Sequence, residues 1–327
     1  MPIILPPDLP VARSLSAEGR SVLFAPRGDA VRIGLLNLMP DKTRTEAQFA
    51  RRLGDAATPV ELVLARFPSY RARHAAAHVE RFYADIDRAL DDGLDALIVT
   101  GAPVELMEFE QVDYWRAFVA LLGRAETRVP HRLFVCWAAQ AALFARHAIP
   151  KVERATKAFG VFDLHIVTPG SSLLHGLGPS YKVPVSRHTQ TRAADLERAP
   201  LRLLSGCPFT GPGVVESEDG AEVYSFNHFE YDRMALADEY DRDRRAGLPT
   251  AAPLHYFRDD DPNGPPDDRW SGKAQLFFDN WLARVVATAR GRRTALCAPA
   301  RISTPATTFG LTNPPQNAAI ANADLGD

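Results

Sequence analysis

The sequence predicts an α/β fold built on a mixed, mainly parallel sheet covered by helices. Three observations predict it. Short apolar runs resemble strands buried on both faces; amphipathic helical stretches alternate with them from Val31 to about Ala148; and the second half changes to shorter strand-like pieces set between Gly, Pro and Asp turns.

Residues 1–30 are proline-bearing and weakly periodic, and read as an N-terminal extension packed on the core that follows. "VRIGLLNL" from Val31 has the profile of a buried parallel strand, and "DKTRTEAQFARRLG" continues as a helix stopping at Gly54, which together make a βα unit. "VELVLARF" is the next strand, followed by a helical stretch from Ala72 to Asp92 and by the strand "ALIVTGAP", which ends in a glycine turn. The helices "DYWRAFVALLGRA" and "AAQAALFARHA" flank the strand "RLFVCW". Beyond them, "VFDLHIV", "YKVPVSRH", "LRLLSG", "GVVESED" and "AEVYSFNHFEYD" predict an antiparallel portion of the sheet. A helix over "RMALADEYDRDRRAG", the loop "FRDDDPNGPPDD" and a closing helix over "AQLFFDNWLARVVATA" complete a single domain spanning 31–290. Residues 291–327 are rich in Thr, Ala, Pro and Asn without an apolar period, and are expected to form a mobile C-terminal tail.

With 327 residues, 46% of them hydrophobic, the chain can build a substantial core. A net charge of -2 offers no electrostatic footprint for nucleic acid. No run of about 18 apolar residues occurs, and "MPIILPPDLP" lacks the pattern of a secretory signal, so a cytoplasmic protein is expected, with no membrane contact. Three widely spaced cysteines, Cys136, Cys207 and Cys297, argue against a disulfide framework and against a cysteine zinc site. His74 and His78 stand one helical turn apart but lack a third ligand, so no metal is expected.

Cys136 is the residue with chemistry to offer. It sits where a strand ends and a helix begins, and in open α/β sheets ligands gather outside the carboxyl ends of the strands. A helix amino terminus presents unpaired N–H groups and partial positive charge, both of which favour a thiolate. A buried free cysteine is also a common core residue, so the position alone leaves both readings open. A thiolate acting in acyl transfer needs a base and an orienting acceptor. In "YSFNHFEYD", strand alternation would put His228 and Glu230 on one face, where the carboxylate can fix the imidazole tautomer.

Taken together, "LLNLMPDKTRTEAQFARRLG", "LIVTGAPVELMEFEQVDYW", "LFVCWAAQAAL", "HFEYD" and "RW…GKAQLFFDNWL" resemble the homoserine O-acyltransferases of the homoserine O-succinyltransferase type, in order and spacing from about Pro2 to about Val286. The resemblance implies a flavodoxin-like three-layer α/β/α sandwich related to class I glutamine amidotransferases, and a homodimer. It further implies a ping-pong acyl transfer from acyl-CoA to the hydroxyl of homoserine, towards methionine, with no cofactor beyond the co-substrate. By match to the family motifs, Cys136 carries the acyl group as a thioester, His228 is the base and Glu230 supports it. Lys157 and Ser186 match substrate-contacting positions, and Arg242 matches the arginine that grips the amino-acid carboxylate, a task its planar fork suits. Backbone N–H groups of Trp137 and of Ala102 are the expected oxyanion donors.

Donor and acceptor choice follow from details. The family position that is glycine in succinyl users and glutamate in acetyl users is Glu105 here, and a glutamate there costs a succinyl group both volume and charge repulsion; acetyl-CoA is therefore the expected donor, with succinyl-CoA as the alternative. The usual "GHPEYD" is "NHFEYD", and the usual "PHSR" is "PVSR". Asn227, Phe229 and Val185 thus fall beside the expected pocket, and open serine as a second acceptor. A Cys-His-Glu amidohydrolase is disfavoured because Phe134 and Ala138 occupy the glycine positions of the usual Gly-x-Cys-x-Gly elbow.

Overall fold

One sheet runs through the molecule in the computed structural model, which describes residues 2–54, 58–68 and 75–297. In chain order the first half contains β1 (Ile3–Ile4), α1 (Pro10–Ala17), β2 (Val22–Leu23), β3 (Val31–Leu36), α2 (Lys42–Gly54), β4 (Val60–Arg66), α3 (Ala76–Phe82), β5 (Ala84–Asp85), α4 (Ile86–Asp91), β6 (Ala96–Val99), α5 (Trp115–Arg128), β7 (His131–Val135) and α6 (Trp137–His147). The second half contains β8 (Val152–Ile166), β9 (Ser180–Gln190), α7 (Ala193–Leu196), β10 (Leu201–Cys207), β11 (Gly211–Ser217), β12 (Glu222–Ser225), α8 (Ala235–Arg245) and α9 (Ser271–Cys297).

The sheet order is β2-β1-β4-β3-β6-β7-β12-β11-β10-β8-β9, with β5 beside β4. Pairing is parallel from β2 through to β12, and antiparallel from β12 onward. The apolar runs that predicted buried strands occupy its middle: every residue of β6 is buried, and so are Leu133 to Val135 of β7.

Alternation along these strands feeds two cores. Ile33 and Leu35 of β3 face a core shared with Leu15 of α1, Phe49 and Leu53 of α2, and Phe278 and Trp281 of α9. Leu36 faces the opposite core, with Ile86 of α4, Phe118 of α5 and Leu143 of α6. Helices therefore cover both faces, and the molecule is the three-layer α/β/α sandwich that the family resemblance implied. Burying each such Leu or Phe side chain contributes roughly 1.5–3 kcal/mol, which outweighs the modest helix propensity of a polar segment such as α2.

The structure departs from the sequence reading at four places. The helix expected over 72–92 is interrupted, because Tyr83 takes an extended conformation and aims its hydroxyl inward to donate to Glu46 Oε1 at 2.6 Å; Ala84–Asp85 then adds to β4 before α4 begins. The N-terminal extension enters the sheet itself, since Ile3–Ile4 pairs with both β2 and β4. The closing helix continues beyond 290 to Cys297, while the rest of the expected tail, and His74, lie outside the described residues. Finally, the strand expected over "AEVYSFNHFEYD" ends at Ser225. There the backbone leaves the ladder: Asn227 Nδ2 donates to Gly213 O at 3.0 Å, and His228 N–H crosses to Pro184 O in β9 at 3.0 Å.

No helix of the described residues is long and apolar enough to cross a membrane. Among those residues no group of three or more His, Cys, Asp or Glu side chains is placed to hold a metal ion.

Candidate active site

Three neighbouring parallel strands, β6, β7 and β12, release their loops on one side of the sheet, as expected for a ligand site in an open α/β fold. The loop after β6 carries Gly101 to Met107, the turn after β7 carries Cys136, and the turn after β12 carries His228. All of these reach a cavity of about 370 Å³ whose lining includes Glu105, Cys136, Lys157, Ser186, His228 and Arg242.

Cys136 has φ 52° and ψ -113°, on the sparsely populated side of the backbone map for a residue with a Cβ. Such a conformation costs on the order of 1–3 kcal/mol and persists only where its surroundings hold it. Here the Cys136 N–H donates to Ser225 O at 2.7 Å, and α6 starts at the next residue. The Ala-rich sequence of α6 favours the helix, and its face from Trp137 to Leu143 is buried, so the turn is clamped from both sides. The thiol lies 4.0 Å from the carbonyl oxygen of Ser186 and points into the cavity. Gly101 permits this packing: a Cβ there would lie 3.3 Å from Cys136 Cβ and 3.8 Å from His228 Cε1.

His228 and Glu230 come together although they are not on a strand. The imidazole Nδ1 lies 2.7 Å from Glu230 Oε1, both side chains are buried, and the ring stacks on Tyr231 with centroids 4.1 Å apart. With Nδ1 committed to Glu230, Nε2 is the ring nitrogen left for Cys136. Burial alone would push the imidazole down, but the Glu230 carboxylate, the Cys136 sulfur and the hydrogen bonds to both hold it well above its ordinary value of 6.5. Burial, reinforced by Glu239, Glu230 and Cys136, likewise raises the Tyr231 phenol, which stays neutral.

At the other end of the cavity, β8, β9 and α8 meet. The pairing of β8 with β9 is regular except where residues 154–157 stand opposite His188 alone, and this bulge delivers Lys157. Its ammonium lies 2.6 Å from Glu239 Oε1 and 3.6 Å from Asp243. Ser186 Oγ donates to the same Glu239 oxygen at 2.7 Å. Arg242 is paired to Asp243 at 2.6 Å and keeps its side chain 65% exposed, so its guanidinium remains accessible from the cavity mouth.

Glu105 lines the wall between these two ends. Burial raises its carboxyl above the ordinary value, against the pull of the His188 imidazole and backbone N–H and of Lys157. Of the two expected oxyanion donors, Ala102 lines the cavity, and Trp137 occupies the first turn of α6, where helix geometry leaves the N–H without an intrahelical acceptor. The Trp137 indole points away, into a cluster with Phe109, Tyr114 and Phe118.

The three departures from the family pattern do not line the cavity, which corrects the expectation that they fall beside it. Phe229 stacks face to face on Phe277 at 4.0 Å, Val185 packs with Ala158 and Phe162, and Asn227 is fully buried against Gly213. Conversely, sequence reasoning missed Glu239, Tyr231 and His188. Glu239 was recoverable, since "EYDRD" sets Glu239, Arg242 and Asp243 at i, i+3 and i+4 on one helix face.

Residues 2–291 match the family model described as homoserine O-succinyltransferase. Among curated sequences, the chain is 40% identical over 295 residues to the homoserine O-acetyltransferase of Rhizobium rhizogenes, covering 88% of this chain and 96% of that one. It is 43% identical over 289 residues to the homoserine O-acetyltransferase of a Synechococcus species, covering 86% and 97%. Among solved structures, a glutamine amidotransferase from Methylobacillus flagellatus superposes with a TM-score of 0.51 at 13% identity, covering 78% of this chain and 94% of that one. At that identity the likeness is one of fold, and it is the amidotransferase-like α/β fold that the sequence resemblance implied.

Proposed function

The chain belongs to the homoserine O-succinyltransferase family, and from that premise we propose that it transfers an acetyl group from acetyl-CoA to the hydroxyl of L-homoserine through a thioester on Cys136. This is an O-acyltransferase reaction on the route to methionine. The observation that carries the reading is the pairing of His228 Nδ1 with Glu230 Oε1 at 2.7 Å beside a cysteine held in a strained turn at a helix amino terminus.

In the first half-reaction the Cys136 thiolate attacks the carbonyl carbon of the acyl-CoA thioester. The developing oxyanion is received by the backbone N–H groups of Trp137 and Ala102. The carbon–sulfur bond to CoA breaks, and the departing thiolate takes the proton held on His228 Nε2. Thioester exchange between two sulfurs is nearly isoenergetic, so the acyl group can rest on Cys136.

Acylation also prepares the second half. The Cys136 charge is one of the influences that hold His228 protonated, so converting the sulfur to a thioester lowers the imidazole towards the neutral base. His228 then accepts the proton of the acceptor hydroxyl as its oxygen attacks the thioester, and the thiolate is released. Arg242 receives the acceptor's carboxylate, while Lys157 and Ser186 hold it against the wall of the cavity. Because Val185, Asn227 and Phe229 face away from the cavity, homoserine is favoured over serine.

Glu105 supports acetyl over succinyl. It lines the same cavity as the acyl-bearing thiol, where its bulk and carboxyl oppose the longer, charged succinyl group. The enzyme is read as a cytoplasmic homodimer needing no cofactor beyond its co-substrate. The experiment is direct: incubate the protein with acetyl-CoA or succinyl-CoA, look for an acyl adduct on Cys136 by mass spectrometry, and chase it with homoserine or serine. An acetyl adduct cleared by homoserine is expected; no adduct with either donor refutes the reading.

A further inference from the structure

We propose that Lys151 is a positioning residue for donor choice: its ammonium pins the backbone of the loop that carries Glu105, and so sets how far that carboxyl reaches towards the acyl group on Cys136. The inference rests on the acyl-transfer reading above and deepens it.

The loop between β6 and Phe109 is held at its start by Thr100, whose N–H donates to Leu36 O at 3.1 Å and whose Oγ1 accepts from Leu38 N–H at 2.8 Å, and more sparsely beyond it. One turn bond joins Met107 N–H to Val104 O at 3.1 Å, and the side chains of Leu106 and Met107 are 61% and 40% exposed. Lys151 supplies the missing anchor. Its Nζ donates to the carbonyl oxygen of Glu105 at 2.5 Å and to that of Met107, and lies 4.4 Å from the centroid of the Phe109 ring. Three N–H groups thus meet two carbonyls and one aromatic face, which uses the whole donor capacity of an ammonium.

The anchor is referenced to the nucleophile. Cys136 stands at one end of α6; at the other end Ala148, at φ 54°, turns the chain through Ile149 and Pro150 to Lys151. Phe109 is buried and stacks on Phe144 of α6 at 4.9 Å and on Trp115 at 5.5 Å. A rigid helix therefore sets the distance between the acyl-bearing sulfur and the point where the Glu105 backbone is fixed. At its side-chain end the Glu105 carboxyl is met by the backbone N–H and imidazole of His188, so Lys151 fixes the backbone from which that carboxyl reaches across the cavity.

The test compares full-length wild type, K151M and K151R for the rate of Cys136 acylation, and for kcat/KM, with acetyl-CoA and succinyl-CoA. K151M keeps most of the apolar stem and removes the donors; it is expected to lower the acetyl-to-succinyl preference on the order of tenfold, mainly through KM, and K151R is expected to recover part of the preference. An unchanged donor ratio in K151M, with both rates falling together, overturns the inference. K151Q, which keeps an N–H donor, covers failure of K151M to fold: an intermediate ratio supports the clamp and a wild-type ratio overturns it. If wild type itself forms no thioester with either donor, the acyl-transfer reading falls and the inference with it; if wild type is acylated and the variants keep its ratio, only the inference falls.

Discussion

His228 and Glu230 are joined at 2.7 Å through Nδ1 and Oε1, in a turn beyond the end of β12 where both side chains are buried. The carboxylate fixes which ring nitrogen faces Cys136, so its removal should act on catalysis before it acts on folding. Glu230→Gln is expected to lower kcat by about 100-fold or more, with the fold retained and the melting temperature lowered by the lost ion pair. Steady-state rates and circular dichroism on the same preparation check both halves of this expectation.

The raised His228 value has a consequence for stability with a definite sign. Because the imidazole binds its proton more tightly folded than unfolded, its contribution is fully present below its ordinary value of 6.5, and is lost as pH rises through the elevated folded-state value. Chemical denaturation as a function of pH should show this alkaline loss in wild type and a smaller one in Glu230→Gln. Cys136→Ala removes another of the influences that hold the proton, so the NMR titration of His228 should move to lower pH in that variant.

Glu105→Gly opens volume beside the acyl-bearing thiol and removes its carboxyl. The ratio of kcat/KM for succinyl-CoA to that for acetyl-CoA is expected to rise by at least about tenfold. Equal rates of Cys136 acylation by the two donors in wild type would already contradict the role given to Glu105.

Arg242→Met should raise KM for homoserine by roughly 10- to 100-fold, the value of a hydrogen-bonded charge lost to a carboxylate. The burst of thioester formation should be untouched, because Arg242 stands at the acceptor end of the cavity. Single-turnover acylation followed by a homoserine titration separates the two steps.

Gly160 tests the fold around the acceptor side. Its φ of 147° and the approach of Leu254 leave no room for a side chain, since a Cβ would sit 2.2 Å from the Leu254 carbonyl oxygen. The two backbones are bonded there, Val161 N–H to Leu254 O and Leu254 N–H to Phe159 O, each at 2.9 Å. Gly160→Ala is expected to cost about 1–3 kcal/mol in denaturant unfolding.

Much of this was legible before the structure. Strands buried on both faces leave uninterrupted apolar runs, so β3, β6 and β7 could be read directly, and Cys136 was marked by its place between one such run and an Ala-rich helix. His228 and Glu230 were found for a reason that proved incomplete: strand alternation suggested the pairing, whereas a turn makes it, held by long-range bonds to Pro184 and Gly213 that no local pattern encodes. The same limit hid the break at Tyr83, whose cause is a hydrogen bond to a glutamate 37 positions away in sequence. Two-residue strands such as Ile3–Ile4 carry too little period to be seen. The orientation of Phe229 and Val185 was unreadable because side-chain direction in a turn or at a sheet's far edge depends on what packs there.

The bulge in β8 makes the acceptor site sensitive to chain length as well as to residue identity. Residues 154–157 stand opposite one residue of β9, and Lys157 enters the cavity because of that surplus. Deleting a single residue from the bulge would change how Lys157 is presented to the cavity while β7 and Cys136 kept their places. Insertions and deletions in one edge hairpin are thus a route by which descendants of such a protein can acquire a new acceptor yet inherit the thioester chemistry intact.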